Sequence, residues 1–360
     1  MIWLIMFLGA AIASILGIIY QVNVIARFKY IKNKLVAFLI ILTLFIVFLV
    51  TLEWINALTI TIYTSLFFIL FGLLGKIINK KFKLPQTINC QGWLAILASI
   101  LYLGSGYYLC ASVIQKDYTL STKKEIEPLK IALVADSHIG TTFDGNGFAS
   151  HLKTIEQQHP DILLLAGDFV DDGTKKSDME IACKALGEMN IKYGIWYSYG
   201  NHDEGYFNHR DFTAEDLENS LLENGVHILA DEYELINDSF YIVGRRDKNV
   251  DGDIRASIDE LLANIDASKY IIVMDHEPND YEAEASSKAD LIVSGHTHGG
   301  QIIPIRHIGV LVGANDATYG YKRNNNTDFI VTSGISDWAL KFKTGTRSEY
   351  VIINVENEMR

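Results

Sequence analysis

The hydrophobic pattern of the chain changes near residue 115. Before that point the apolar side chains run in four blocks, 1–26, 35–52, 54–75 and about 93–113, none of which holds a charged residue. Each block approaches the about 20 residues a helix needs to cross a bilayer, so four membrane-spanning helices are expected. Only Glu53 separates the second block from the third, which makes those two a tight hairpin. A cleaved signal peptide is the poorer reading of the first block, because the positive charges follow it and none precede it.

Beyond a polar stretch at about 115–128 the period shortens. Residues 130–135, 162–166, 194–199, 270–274, 291–294 and 329–332 are compact apolar runs and read as buried strands. Helical spacing recurs near 148–158, 178–189, 214–224 and 258–265, while 234–243 and 350–355 read as antiparallel strands of a meander or hairpin. Strand–helix alternation with antiparallel additions predicts an α/β sandwich. The expected organisation is a transmembrane region over 1–114, a connector over 115–128 and one α/β domain over 129–360.

Charge divides the chain at the same place. Residues 1–118 hold nine basic and two acidic residues, and the remainder holds 22 basic and 41 acidic, a net of −19. An acidic domain of that size argues against a nucleic-acid partner. Basic residues cluster after the first block (Arg27, Lys29, Lys32, Lys34) and after the third (Lys76, Lys80, Lys81, Lys83). Basic loops stay in the cytoplasm, so the acidic domain is expected on the extracytoplasmic side of the cell membrane. Lys116, Lys123 and Lys124 pull weakly the other way. Glu53 is the one ionisable group among the apolar blocks, which favours an anchor over a transporter. Cys183 stands alone in the acidic region, which excludes a disulfide framework or a cysteine zinc site there.

All ten histidines lie in the acidic region, and five of them follow predicted strands. The strand-end sequences are Asp136-Ser137-His138, Gly167-Asp168, Gly200-Asn201-His202-Asp203, Asp275-His276-Glu277-Pro278 and Gly295-His296-Thr297-His298-Gly299-Gly300-Gln301. In open α/β sheets ligands bind beyond the carboxyl ends of strands. Carboxylate, imidazole and amide groups without thiolate form a hard-to-borderline ligand set suited to Mn, Fe or Zn. Seven such groups exceed one tetrahedral site and suit two ions about 3.5–4 Å apart, which clamp a phosphate and generate hydroxide at neutral pH.

The order of these motifs resembles the calcineurin-like metallophosphoesterases over about 130–355. The segment Gly295–Gln301 followed by Pro304 is similar to a membrane-associated bacterial subgroup that includes UDP-diacylglucosamine pyrophosphatases. The resemblance implies a four-layer αββα sandwich. It also implies that Asp136, His138 and His298 hold one divalent ion, Asn201, His276 and His296 the other, and that Asp168 bridges them. His202 is then the catalytic residue, facing the scissile phosphate. The implied activity is hydrolysis of a phosphodiester or pyrophosphate, on a lipid-linked or membrane-surface substrate, by metal-activated hydroxide. A phosphatase acting on soluble esters is the alternative. A non-catalytic receptor is disfavoured, because all seven ligands and His202 are present.

The chain also departs from the protein-phosphatase branch, where an Arg stands in place of Asp172. Asp171 either orients His202 or faces solvent, and Asp203 either assists the site or stabilises a turn. Arg245 and Arg246 either grip a substrate phosphate or pair with Asp247 at the surface. His151, His159, His209, His227 and His307 have no motif partner, and His209 alone is close enough to a motif to suggest substrate contact.

Overall fold

A computed structural model describes residues 2–28, 30–82, 89–206, 210–247 and 255–358. The chain forms two compact units, Met1–Tyr108 with Ala339–Lys341, and Leu109–Trp338 with Phe342–Arg360.

The first unit is helical. Its elements are α1 (Ile2–Ile25), α2 (Lys34–Phe82) and α3 (Cys90–Ala111). Among the described residues there are three helices long and apolar enough to cross a membrane, not the four separate helices expected. The difference lies in α2, which takes in both the second and the third apolar block. It is interrupted at Glu53, whose φ of 69° and ψ of 168° are not helical. The apolar side chains point outward, with Leu16, Ile77 and Leu101 more than 60% exposed. Some of the polar groups face inward instead: Gln21 Nε2 donates to Thr61 O at 3.1 Å and to Ser65 Oγ at 2.8 Å. Such inward amides and hydroxyls hold helices together where lipid tails supply no hydrophobic drive.

In the second unit the strands are β1 (Ile114–Thr122), β2 (Leu129–Val134), β3 (Ile162–Ala166), β4 (Ile195–Ser198), β5 (Val226–Ile228) and β6 (Glu232–Ile236). They continue with β7 (Phe240–Gly244), β8 (Tyr270–Met274), β9 (Leu291–Ser294), β10 (Gly320–Asn324), β11 (Thr327–Val331) and β12 (Glu349–Asn357). Interleaved with them are α4 (Gly145–Glu156), α5 (Lys176–Gly187), α6 (Ala214–Glu223), α7 (Ile258–Leu262), α8 (Tyr281–Ser286) and α9 (Ile308–Leu311). One sheet has the order β1-β12-β2-β3-β4-β5 and the other β10-β11-β9-β8-β7-β6. Strands β2 to β5 are mutually parallel, as are β7, β8, β9 and β11.

Burial explains the unbroken apolar runs. In β3, Leu163 and Leu165 pack against α4, α5 and α6, whereas Ile162, Leu164 and Ala166 face the other sheet. A parallel strand covered on both faces needs no polar alternation. The second sheet is covered on its outer face by α7 and α8 through Ile258, Leu262, Tyr281 and Ala285. Four layers result, helices outside two sheets. Caps mark where helices begin: Asp144 accepts from Gly147 N at the start of α4, and Thr213–Asp216 and Ser257–Glu260 close capping boxes on α6 and α7.

Three local expectations change. Most of the stretch read as a connector is β1, paired in parallel with β12. The run 234–243 is two strands, because Asn237 and Asp238 at φ of 48° and 53° turn the chain between β6 and β7. β12 joins β1 in parallel and β2 antiparallel, so it is an interior strand and not half of a hairpin.

Candidate metal centre

The carboxyl ends of β2, β3, β4, β8 and β9 deliver their loops to one place. Asp136 after β2 accepts the His296 backbone N–H, from the loop after β9, at 2.8 Å. Asp168 after β3 accepts the His202 N–H at 2.9 Å, and its Oδ2 lies 3.4 Å from His138 Nε2 and 3.1 Å from His276 Nε2. His298 Nε2 lies 3.8 Å from Asp136 Oδ1. Asn201 Oδ1 meets His296 Nδ1 at 2.8 Å. The seven residues expected to hold metal are thus gathered together.

Close approach requires unusual backbone. Asp136, His138, Asp168, His296 and His298 all have φ between 36° and 68°. Non-glycine residues in this left-handed region carry strain of about 1–3 kcal/mol each, and such strain concentrates at functional sites. Gly167, at φ of 79°, leaves room where a Cβ would strike His276 Nδ1 and Gly200 Cα.

The donor chemistry fits divalent cations. Asp136, His138 and His298 form one group, and Asp168, His276 and His296 a second, each with its ligand atoms within 4.8 Å of one another. Asp136 Oδ2, His138 Nε2 and His276 Nε2 are buried and accept or donate no hydrogen bond. Buried polar atoms are normally satisfied, so orphans within each ligand group are what a cation there would complete. His276 Nδ1 donates to Ala166 O at 2.8 Å, which directs its Nε2 toward Asp168.

Electrostatics follow the same geometry. Burial works against protonating His138, but Asp171 and the charges of Asp168 and Asp136 outweigh it and carry the ring up to about 9. For His276 burial is likewise outweighed by Asp168, and its pKa is raised well above the ordinary value. Burial would raise Asp168, but His276, His202 and His138 hold it well below the usual carboxylate range. Burial dominates for His202 and His296, and both fall to about 4.

The residues left open by sequence fall into place as follows. Asp171 does not orient His202 and is not solvated; it is buried, 3.3 Å from His138 Nδ1. Asp203 stabilises a turn, accepting from the backbone N–H of Asp168, Phe169, Val170 and Gly200 at 2.7–3.1 Å. Arg245 is neither a surface residue nor a phosphate clamp. It is buried, with Nη1 at 2.7 Å from Asp275 and 3.2 Å from Glu284, and Nη2 at 3.0 Å from Asp280. His209 lies outside the described residues. His227 stacks on Trp196 at 4.3 Å between ring centroids, a packing role.

Sequence reasoning missed the aromatic neighbours of His202. Its ring lies 4.9 Å from Tyr206 and 5.1 Å from Trp338 between centroids. Tyr206 also accepts from Asn201 Nδ2 at 2.7 Å. Also missed was Asp337, 3.3 Å from His298 Nδ1. Trp338 and Asp337 follow β11, another strand ending at this edge, and that position was their only available signal.

A family model for calcineurin-like phosphoesterases matches residues 129–300. A metallophosphoesterase of uncharacterised function from Aquifex aeolicus is 33% identical over 192 residues, covering 51% of this chain and 69% of that protein. One from Campylobacter jejuni is 28% identical over 233 residues; the match covers 64% of this chain and 60% of the relative's length. A zebrafish (Danio rerio) transmembrane protein with metallophosphoesterase domain is 24% identical over 341 residues, 84% of this chain and 74% of its own.

The buried Arg245 cluster gives a stability prediction. Arg245→Met leaves Glu284 buried without its Arg245 partner, while Asp275 keeps Arg255, so the loss is about 3 kcal/mol, the lower end for a broken buried pair. At about 2–4 °C per kcal/mol, the unfolding midpoint of the detergent-purified chain falls by roughly 6–12 °C. Lys176→Met, which breaks a half-exposed pair with Asp216, shifts it far less. Thermal melts of the two variants side by side check both expectations.

Proposed function

The chain belongs to the calcineurin-like phosphoesterase family of metal-dependent phosphoester hydrolases, and we propose that it is a membrane-anchored two-metal enzyme acting on a phosphodiester or pyrophosphate at the membrane surface. The observation that carries this reading is that Asp168, a member of one three-residue ligand group with His276 and His296, also lies 3.4 Å from His138 of the other. Asp136, His138 and His298 would hold one cation, Asn201, His276 and His296 the other, and Asp168 would reach both. When bound, two such ions supply charge neutralisation at phosphate oxygens and a water of lowered pKa. His202, held by its backbone on Asp168 and flanked by Tyr206 and Trp338, stabilises or protonates the departing oxygen.

Four crossings remain the reading we favour for the helical unit. The 49 residues of α2 would span about 70 Å at 1.5 Å per residue, more than twice a hydrocarbon core of about 30 Å, and the Glu53 break divides them near the middle. With basic loops at 27–34 and 76–83, both the amino terminus and the catalytic unit lie outside the cytoplasm. The transmembrane name of the zebrafish relative supports a membrane location.

A membrane-surface substrate is supported by the segment that follows His298. Ile303, Ile305, Ile308, Leu311 and Val312 are 45–79% exposed within ten residues. Contiguous exposed apolar side chains of this kind mark contact with lipid or another apolar partner.

Metal dependence separates into two variants. His202→Ala retains both ions and loses about 10²–10⁴-fold in kcat, because it removes acid assistance alone. Asp168→Ala loses metal as well as activity. Elemental analysis beside turnover with defined Mn²⁺ checks this; full metal in the Asp168 variant and none in the His202 variant reverses the roles.

Topology is read by reporter fusions. A reporter active only outside the cytoplasm works after Arg360 and fails in the 27–34 loop. Reversal of both signals places the site in the cytoplasm.

Substrate class is tested on the full-length chain in vesicles, against phosphomonoesters, diesters and nucleotide–lipid pyrophosphates. Leu311→Ser with Val312→Ser lowers kcat/KM on a lipid-linked diester or pyrophosphate several-fold while leaving a small chromogenic diester unaffected. Equal loss on both, or none on the lipid, refutes the membrane-surface substrate.

A further inference from the structure

We infer that Asp337, held in place by Lys343, is the positioning residue that fixes His298 as a metal ligand. The inference rests on the two-metal reading above. It concerns a residue that no strand-end motif marks.

Asp337 and Lys343 are both fully buried, at 0% exposure. Asp337 Oδ1 lies 3.3 Å from His298 Nδ1 and 3.1 Å from Lys343 Nζ, and the buried Cys110 thiol also faces Asp337. Lys343 Nζ also donates to Ser333 O at 2.6 Å. A carboxylate behind Nδ1 selects the tautomer with its proton there, so the Nε2 lone pair faces Asp136 and the ligand group. Such outer carboxylates orient a liganding imidazole and raise its basicity.

The neighbouring imidazoles show what is particular about this one. His276 is oriented by the carbonyl of Ala166, His296 by the amide of Asn201, and His138 by Asp171, which also accepts from Gly173 N at 2.7 Å. Asp337 is the acid whose partner is a buried lysine. Two ions removed from water are costly, and well-packed apolar residues usually serve a core as well or better. What the pair adds is a carboxyl group, braced by Lys343, at a fixed distance from His298. The surrounding backbone is built to hold it. Ile335 N and Ser336 N donate to Ala135 O and Asp136 O at 3.0 and 3.1 Å, and Gly334, at φ of 78°, admits the Asp136 side chain where a Cβ would clash. The next residue, Trp338, lies against His202. One loop therefore supports a ligand and the catalytic imidazole together.

The test is Mn²⁺ binding to the full chain, by titration calorimetry and by the spin-coupled signal of a two-ion centre. Asp337→Asn weakens one Mn²⁺ affinity by about 10–100-fold and leaves the other within a few-fold. At one equivalent of Mn²⁺ its spectrum shifts toward a single uncoupled ion relative to the unaltered chain. Asp337→Asn combined with Lys343→Met removes the buried charges together, so it keeps the measurement interpretable if the single variant misfolds. Its circular dichroism matches the unaltered chain and its weaker Mn²⁺ site persists. Asp337→Glu recovers part of the affinity. Two unchanged Mn²⁺ affinities in the folded double variant overturn the role of Asp337. Absence of Mn²⁺ binding by the unaltered chain overturns the two-metal reading itself, and this inference with it.

Discussion

The contact between Asp168 and the imidazoles of His138 and His276 is the interaction around which the catalytic unit is arranged. Asp168 is 1% exposed and both histidines are at most 1% exposed. A carboxylate taken out of water costs several kcal/mol unless opposite charges and hydrogen-bond donors replace the solvent. Here the replacements come from different strands: His138 from β2, His276 from β8 and the backbone of His202 from β4. The two sheets have to end at one edge for those groups to meet. Asp203 secures that edge by binding four backbone N–H groups from the loops after β3 and β4.

Assembling such a site works against local preference. Five of the gathered residues have left-handed backbone, and Gly167 is required by the close approach of His276. The strain is sustained by three apolar clusters, one between the sheets and one on each outer face. Parallel strands buried on both sides tolerate little movement, which makes them a firm base for strained loops. The same rigidity serves Arg245, whose guanidinium joins Asp275 to Glu284 and so braces the strand end that carries His276. Buried carboxyl groups also lie beside two of the imidazoles, Asp171 at 3.3 Å from His138 and Asp337 at 3.3 Å from His298.

The helical unit distributes its side chains differently. Many of its large apolar side chains face outward, while Gln21, Asn56, Thr61, Ser65 and Ser99 are buried. Net charge follows the same division, positive in the first 118 residues and strongly negative after them. The segment 303–312, with Ile303, Ile305, Ile308, Leu311 and Val312 exposed, is an exception inside the acidic unit, and it follows His298 by a few residues.

Hydropathy period and motif order were enough to reveal the apolar blocks, six buried strands, four helices of the catalytic unit and the residues that converge on the centre. These are local properties: a buried parallel strand is written as a short apolar run, and a site at its end as the polar residues that follow. Even the break in α2 was legible, because Glu53 interrupts an otherwise uncharged run. Edge strands β5 and β10 were not legible, being short or polar, nor was β1, whose mixed composition resembles a linker until β12 pairs with it. Arg245 read as a phosphate clamp or a surface cation because arginine is rarely buried; its acids lie 30 to 39 positions away, and only packing brings them under it. Asp337 and Lys343 carry no motif at all. Their roles arise from contact with His298 and Ser333, and contacts between distant residues follow from how the sheets close, which no local period encodes.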